Sequence, residues 1–567
     1  MGRDRIKVKN VGNFLNIRKN IKVKTLIEKL EHSKKNHNYS IAVKFHKRSK
    51  KVEGVLSLGD LRRLIYRNKH NDLIYKYLNR DPYYLPNIQK QTNIKMYEKK
   101  LRYMIEKDCS DIFIYDEKKN LIDIKSNFDL NQENNLSSIC VVGLGHIGLP
   151  LLTHLLKKKD FITGYDKNLS SISKIKSQNL NFFEKGLNSL IKYNLNNKKI
   201  RLSDKFSEIN ASVYIVCIGS DLINNKVNNK NLVSILKKVA KKIYKNNLIL
   251  IRGTVQVGFT KLIAKNVLER ISGLKCGRDF FIGYIPERIV EGNAISELEN
   301  LPQLVSGVTK SCLIKSINFC NHFFSKVIET SSTEEAEIIK LSSNSFRDLN
   351  FAFANEITRI ANIYNLSGHK LIKKANLGYE RNSIAKPSLG VGGFCLPKDI
   401  FLFNKMINKK LDGYELTISR KINEHSLKRI SSKIIKLHKE NFSKESKILI
   451  LGATFKGLPE TIDIRNSPSI ILSKELAKSG IKNHIFDFRG KEIAKNNKLI
   501  KNLIFNLKLI KNYDFIILSN NNPAYSDLII DQLSKKKIGK QKKIIFDSWD
   551  LVDEEVCRSS GYDYYTL

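Results

Sequence analysis

Short apolar runs punctuate the chain between residues 138 and 330, and helical spacing fills the gaps between them. Ile139–Val142, Phe161–Tyr165, Val213–Cys217 and Leu248–Ile251 read as buried strands, and strands alternating with helices predict a parallel sheet. The alternation returns from Lys447 onward, at Lys447–Leu451, His484–Phe488, Phe515–Leu518 and Lys543–Phe546, and predicts a second doubly wound sheet. Between the two, Ser332 and Glu335 stand at capping-box spacing, and helical patterning then runs without Pro or Gly to about Leu366. A helix of that length, about 45–50 Å at 1.5 Å per residue, must bury its apolar stripe against something, for which another subunit is the natural candidate. Residues 20–127 form a separate α/β segment, closed by the polar stretch Asn127–Asn135, which has no apolar periodicity and reads as a linker. The expected fold class is therefore α/β. Two Rossmann-like domains, 138–330 and 441–567, flank a helical domain, 331–440, and a small α/β domain, 20–127, precedes them.

Composition narrows the class. A chain of 567 residues with 41% hydrophobic side chains suits an ordinary soluble protein, of about three or four domains at roughly 100–200 residues each. No run approaches the roughly 18 apolar residues of a membrane span. The start, Met1-Gly2-Arg3-Asp4-Arg5, leads into no apolar segment of a signal peptide, and Ile6 stands where a myristoylation motif wants Ser or Thr. A cytoplasmic protein without a membrane partner is expected. The net charge of +45 invites a nucleic-acid reading. Its lysines, however, are scattered among Asn and Ile along the whole chain, and runs such as Lys157–Lys159 and Lys535–Lys537 read as solvated faces. No nucleic-acid partner is expected; the positive field would favour a small anionic substrate. Eight cysteines, at 109, 140, 217, 276, 312, 320, 395 and 557, form no Cys-x-x-Cys pair, so neither a metal site nor a disulfide framework is predicted.

Two constellations carry chemistry. The strand Ile139–Val142 leads into Gly143-Leu144-Gly145-His146-Ile147-Gly148, a helical pattern follows, and a second strand ends at Asp166. Glycines permit the tight turn and close approach of a pyrophosphate, while an acid at that distance accepts bonds from a ribose 2′-hydroxyl and repels a 2′-phosphate. NAD is thus favoured over NADP. The second constellation is Gly390-Val391-Gly392-Gly393-Phe394-Cys395-Leu396-Pro397-Lys398-Asp399. It sets one cysteine behind flexible glycines, with a lysine nearby that would favour the nucleophilic thiolate. Read alone, Cys395 is as much at home as a buried structural thiol.

With both in view, the chain resembles the UDP-glucose/GDP-mannose dehydrogenase family from Ser138 essentially to the C-terminus. The motifs, in the family's order, are GLGHIGLP at 143–150, GTVQVGFT at 253–260, PERIVEGNAISEL at 286–298, AEIIKLSSNSFRDLNFAFANE at 336–356, GVGGFCLPKD at 390–399 and LGATFKGLPETIDIRNSPS at 451–469. The resemblance implies an NAD domain, a helical dimerisation core forming a homodimer or higher oligomer, and a nucleotide-sugar domain that takes a UDP-sugar. It also implies two successive oxidations of C6, in which Cys395 forms a thiohemiacetal and then a thioester. By position, Lys340 and Asn344 would stabilise developing oxygen charge, Glu287 would manage protons or water, and Thr254 and Asp399 would hold a water or assist the transfers. Glu291, Lys398, Arg465 and the fingerprint residues would contact NAD. Gly392, Phe455, Lys456 and, from a partner subunit, Arg381 would contact the sugar nucleotide. Ser220 stands where the family often has the Thr of Pro-Thr-Pro and could replace its hydroxyl. Pro286-Glu287-Arg288 is closer to the branch acting on UDP-N-acetylhexosamines than to the UDP-glucose branch, which tends to have Phe after that Glu.

Gly54–Arg63 resembles the strand-to-helix turn of a CBS domain, in which Ser57 and Asp60 would hold an adenosine nucleotide. Asp111–Ile124 looks like the second repeat, with no equivalent pair in Asn120–Ile124. A ligand-free pair serving packing or oligomerisation remains the other reading. At the level of the whole chain, a single-step dehydrogenase and a nucleotide sensor on an inactive enzyme scaffold are the rivals to a two-step oxidoreductase.

Overall fold

The computed structural model describes residues 14–17, 20–33, 41–45, 52–80, 84–86, 111–115 and 121–126, and then 138–407, 416–443, 445–496, 500–506, 510–534 and 542–567. They fall into two compact units, Met1–Leu136 and Ser137–Leu567.

The larger unit contains both expected sheets. The first has eight strands, in the spatial order Val327–Glu329, Gln303–Gly307, Phe281–Tyr284, Leu248–Ile251, Val213–Val216, Ile139–Val142, Ile162–Tyr165 and Ile200–Ser203. Its central strands are buried on every residue, which is why they read as unbroken apolar runs. Gln303–Gly307 pairs antiparallel with Phe281–Tyr284, so the sheet is mixed rather than wholly parallel. The second sheet has six strands, all parallel, in the order Leu503–Ile504, Asn483–Phe486, Ile448–Leu451, Phe515–Leu518, Ile544–Asp547 and Asp563–Thr566.

The two Rossmann halves share a device at the first turn. Gly143 (φ +92°) ends the first strand of one, and Gly452 (φ +103°) ends that of the other. In the first half Asp166 closes the second strand and accepts the N–H of Leu144 (3.0 Å) and of Asn168 (2.9 Å). In the second, Asp487 accepts the N–H of Ala453 (2.8 Å) and of Arg489 (2.9 Å). They differ in openness. Asp166 is half-buried, whereas Asp487 is buried, hydrogen-bonds Thr454 and Tyr525 as well, and is held above the usual carboxylate range by that burial. A Cβ on either first glycine would strike a side chain, Ile218 at 2.9 Å from Gly143 and Asn520 at 2.6 Å from Gly452, but two residues on the first half has Gly145, with only open space beside it, where the second has Thr454.

The long helix runs from Thr333 to Ile363, with the Ser332 hydroxyl accepting the Glu335 N–H (3.1 Å) as the cap spacing predicts. It packs on helices Leu396–Ile407 and Ile418–Asn441. A turn with no signature in the residue pattern follows Gly258: Phe259–Ala264 winds as a π-helix, with Glu337 of the long helix accepting the N–H of Gly258 and of Thr260.

The smaller unit holds two three-stranded sheets of matching design. Phe14–Ile17 runs parallel to Ile41–Phe45, which pairs antiparallel with Val52–Ser57. Tyr84–Pro86, Asp111–Tyr115 and Leu121–Ser126 repeat that order and those directions. Both antiparallel pairs slip register at the same place, between Lys44 and Phe45 and between Ile114 and Tyr115. The register corrects one expectation. Ser57 pairs with Ile41 and Ser126 with Asp111, so Ser126 holds the place of Ser57, and in the sequence Asp129 follows it as Asp60 follows Ser57. The segment Asn120–Ile124 stops just short of this counterpart; Asp129 lies outside the described residues. Asp60, at the start of helix Leu58–Tyr66, is engaged by Arg63 (2.6 Å).

Candidate active site

The ends of the central strands of the first sheet, the loop after Phe281–Tyr284, the glycine loop before helix Leu396–Ile407 and the loop after Ile448–Leu451 converge on one cleft of about 400 Å³. This is the carboxyl-end crevice where open α/β sheets bind ligands. Gly145, His146, Ile147, Ser220 and Glu291 line its cofactor end; Thr254, Glu287, Gly392, Cys395, Phe455 and Lys456 line the other, with Lys398 and Arg465 between. Gly143, Gly148 and Asp166 support the first turn from outside that wall. Gly148 has a steric reason to be glycine: a Cβ there would stand 1.8 Å from the Gly143 carbonyl oxygen. Arg381 is not among the residues that line the cleft of its own chain; its guanidinium lies 4.7 Å from the Tyr379 ring centre.

Behind the wall stand Lys340, Asn344 and Asp399. The Lys340 ammonium donates to Glu287 Oε1 (2.8 Å), and both side chains are almost fully buried. Burial works against the Lys340 charge, but the combined attraction of Glu287, Asp399 and Cys395 outweighs it and holds the group above its ordinary value. Asn344 Nδ2 donates to Asp399 Oδ2 (2.6 Å), and Lys398 Nζ meets Asp399 Oδ1 (2.8 Å). One helical turn separates Lys340 from Asn344 on the long helix, so a single face supplies both.

Cys395 directly precedes helix Leu396–Ile407, and its carbonyl accepts the N–H groups of Lys398 (3.1 Å) and Asp399 (2.8 Å). The residue is open to the cleft, yet protein crowds the thiol on its other sides. That crowding, with Asp399 and Glu287 adding to it, outweighs Lys340 and Lys398 and pushes the thiol up to about 11. The expectation that a neighbouring lysine yields a resting thiolate is thereby corrected: each lysine is already committed to a carboxylate.

Glu291 ties three segments together. Its carboxylate accepts from Thr461 Oγ1 (2.6 Å) and lies 3.4 Å from His146 Nδ1, while its main-chain oxygen accepts from Lys456 Nζ (2.6 Å). These partners hold Glu291 below its ordinary value although burial opposes them. Arg465 is fixed by Asp463 (2.6 Å) and reaches His146.

The cofactor end fits a dinucleotide. Ser220 carries a buried hydroxyl with no protein partner among the described residues, and each Asp166 oxygen, having accepted one backbone N–H, keeps a lone pair for a ribose hydroxyl. Among the described residues no cluster of His, Cys, Asp and Glu could hold a metal ion, and no helix is long and apolar enough to cross a membrane.

Two residues escaped the sequence reading. Arg347 lines the cleft; its signal was periodicity, since it stands seven residues after Lys340 on the same helical face. Glu337, three residues before Lys340, is fully buried and holds the turn that follows Thr254. Conversely Arg288, which set the branch resemblance, is bonded to the Pro302 carbonyl (2.6 Å) and does not line the cleft.

The comparisons agree with this geometry. Models of the UDP-glucose/GDP-mannose dehydrogenase family match the NAD binding domain at residues 137–324, the central domain at 334–425 and the UDP binding domain at 449–554. The chain is similar to the UDP-N-acetyl-D-mannosamine dehydrogenase of Campylobacter jejuni, at 30% identity over 61% of this chain and 84% of that protein. It is also similar to the enzyme of that name from Pyrococcus horikoshii, at 29% identity over 73% of this chain and 96% of that protein. The solved structure of the UDP-D-ManNAc dehydrogenase from Pyrococcus horikoshii matches with a TM-score of 0.66 and 26% identity, covering 76% of this chain and 99% of that one. With three domain models matched in order, NAD as the cofactor of the first and a cleft built between the first and last, the chain belongs to the UDP-glucose/GDP-mannose dehydrogenase family.

Proposed function

We propose that the protein is an NAD-dependent nucleotide-sugar 6-dehydrogenase that oxidises the C6 hydroxyl of a UDP-N-acetylhexosamine to the uronate through Cys395. One observation carries the reading: a thiol open to the cleft, backed by the Lys340–Glu287 and Asn344–Asp399 pairs, shares that cleft with the dinucleotide turn. Bound NAD accepts a hydride in each of the two oxidations. Lys340 and Asn344 stabilise the oxyanion that develops at C6, an effect often among the largest in such catalysis. The Cys395 thiol adds to the aldehyde carbon and loses its proton, giving a thiohemiacetal; loss of the second hydride leaves a thioester. Glu287 and Thr254 orient the water that cleaves it, releasing the carboxylate and restoring the thiol. The balance is one alcohol, one water and two NAD⁺ giving one carboxylate, two NADH and three protons. Covalent capture divides a difficult oxidation and retains the aldehyde.

The names of the relatives favour the N-acetylmannosamine substrate over UDP-glucose. A second copy of the chain is the proposed cover for the long helix. Phe346, Phe353 and Ile360, seven residues apart, are 61, 58 and 50% exposed, a stripe no monomer has reason to leave wet. The smaller unit is read as an adenosine-nucleotide sensor through Ser57 and Asp60, and the cytoplasm as the compartment.

The test is NADH yield against UDP-ManNAc, UDP-GlcNAc and UDP-glucose. Two NADH per sugar is expected; one would mean a single-step dehydrogenase, and none with any sugar would favour the sensor. Cys395→Ser should abolish acid formation while leaving NAD affinity nearly unchanged, and full turnover in that variant would defeat the thioester route.

A further inference from the structure

The glycine loop that carries Cys395 has no regular structure of its own, so something else must aim the thiol. Two donors, from different parts of the larger unit, take the main-chain carbonyls on either side of Gly392. Arg420 Nη2 donates to the Val391 oxygen (3.3 Å), and Asn466 Nδ2 donates to the Gly393 oxygen (3.0 Å). Arg420 is itself immobilised. Its Nη1 meets Asp348 Oδ1 (2.6 Å), that carboxylate also accepts from Ser419 and Asn423, and Asp348 is fully buried. The same polar chain continues through Asn423 and Asn355 to the Ser388 N–H (3.1 Å) at the foot of the loop. On the opposite side, the Gly393 N–H donates to the Arg465 carbonyl (2.9 Å). Asp348 lies on the helix that bears Lys340 and Asn344, so one rigid element references both the oxyanion donors and the nucleophile.

We propose that Arg420 and Asn466 are positioning residues that clamp the Val391 and Gly393 carbonyls and thereby hold Cys395 against Lys340 and Asn344. The inference rests on Cys395 being the nucleophile, but its test does not depend on which sugar is oxidised. A buried ion pair with a free donor left over is a costly way to fill space, and here the spare guanidinium arm reaches a carbonyl four residues before the thiol. Asn466 occupies a left-handed conformation (φ +51°), so Asn466→Gly removes the donor while leaving the backbone unstrained. Arg420→Lys keeps a cation opposite Asp348 without the fork that spans both acceptors.

In the full-length protein each variant is expected to lower kcat about fivefold to tenfold, as loss of one hydrogen bond felt in the transition state would, with NAD Kd unchanged. Alkylation of Cys395 by iodoacetamide at pH 8, followed on the Cys395 peptide, should become about threefold faster as the released thiol escapes the packing that crowds it and becomes more open to the reagent. Asn466→Asp, similar in shape but without a donor, should behave as Asn466→Gly does. A purely structural role would lower Tm and leave both kcat and the alkylation rate of the folded protein at the wild-type level; that result in Asn466→Gly overturns the proposal even if Arg420→Lys fails to fold. Should Cys395→Ser prove fully active, the catalytic reading falls, while the alkylation rates still decide whether the clamp exists.

Discussion

Around Cys395 the packing of protein against the sulfur decides its protonation, while two carboxylates and two ammonium groups pull in opposite directions. Lys340 is held by Glu287 and Lys398 by Asp399, so each lysine shares its charge with a carboxylate, and their pull on the sulfur is outweighed by crowding. With its value near 11, the group is a thiol at neutral pH in the unliganded protein. Only the thiolate is alkylated, so the rate at Cys395 should climb about tenfold per pH unit from 7 to about 10 and flatten near 11. A rate already flat above pH 8 would show a resting thiolate instead. The sulfur, the lysines and both acids were legible in the sequence; the packing that crowds the sulfur and outweighs the lysines was not. Adjacency along the chain shows that Lys398 is near Cys395; it does not show that Asp399 claims Lys398 first.

At the scale of elements, the apolar periodicity of Thr333–Ile363 was strong enough to fix the helix and its cap in advance, and strands buried on both faces announced themselves as unbroken apolar runs. What stayed hidden depended on contacts remote in sequence. The antiparallel strand Gln303–Gly307 has too few apolar residues to stand out, and the π-turn after Gly258 exists because Glu337, 79 residues on, takes two of its N–H groups. The clamp on the Cys395 loop is equally remote, drawn from Arg420 and Asn466. The exposed stripe on the long helix yields its own expectation. Phe346→Glu with Phe353→Glu should convert the protein to monomers by light scattering, because two charges placed opposite their copies are costly to bury; an unchanged mass would remove the helix from the interface.

For the molecule as a whole, the larger unit contains its own cores among the described residues, including one on a face of the first sheet and one on each face of the second. A chain beginning at Ser137 should therefore keep its two-NADH stoichiometry with the UDP-sugar, and any response of the rate to AMP should be confined to the full-length protein and lost in Asp60→Ala. Failure of the shortened chain to turn over would make the smaller unit part of the enzyme rather than its regulator.

The unequal first turns of the two Rossmann halves bear on how many cofactors the protomer can take. One turn leaves its acid reachable and room beside its second glycine; its counterpart carries Thr454 at that glycine's position and has saturated the acid with that threonine and a tyrosine. Two equivalent turns would offer two equivalent berths. Calorimetric titration with NAD should instead return one mole per protomer, and Asp166→Ala should empty that berth while Asp487→Asn leaves the count at one.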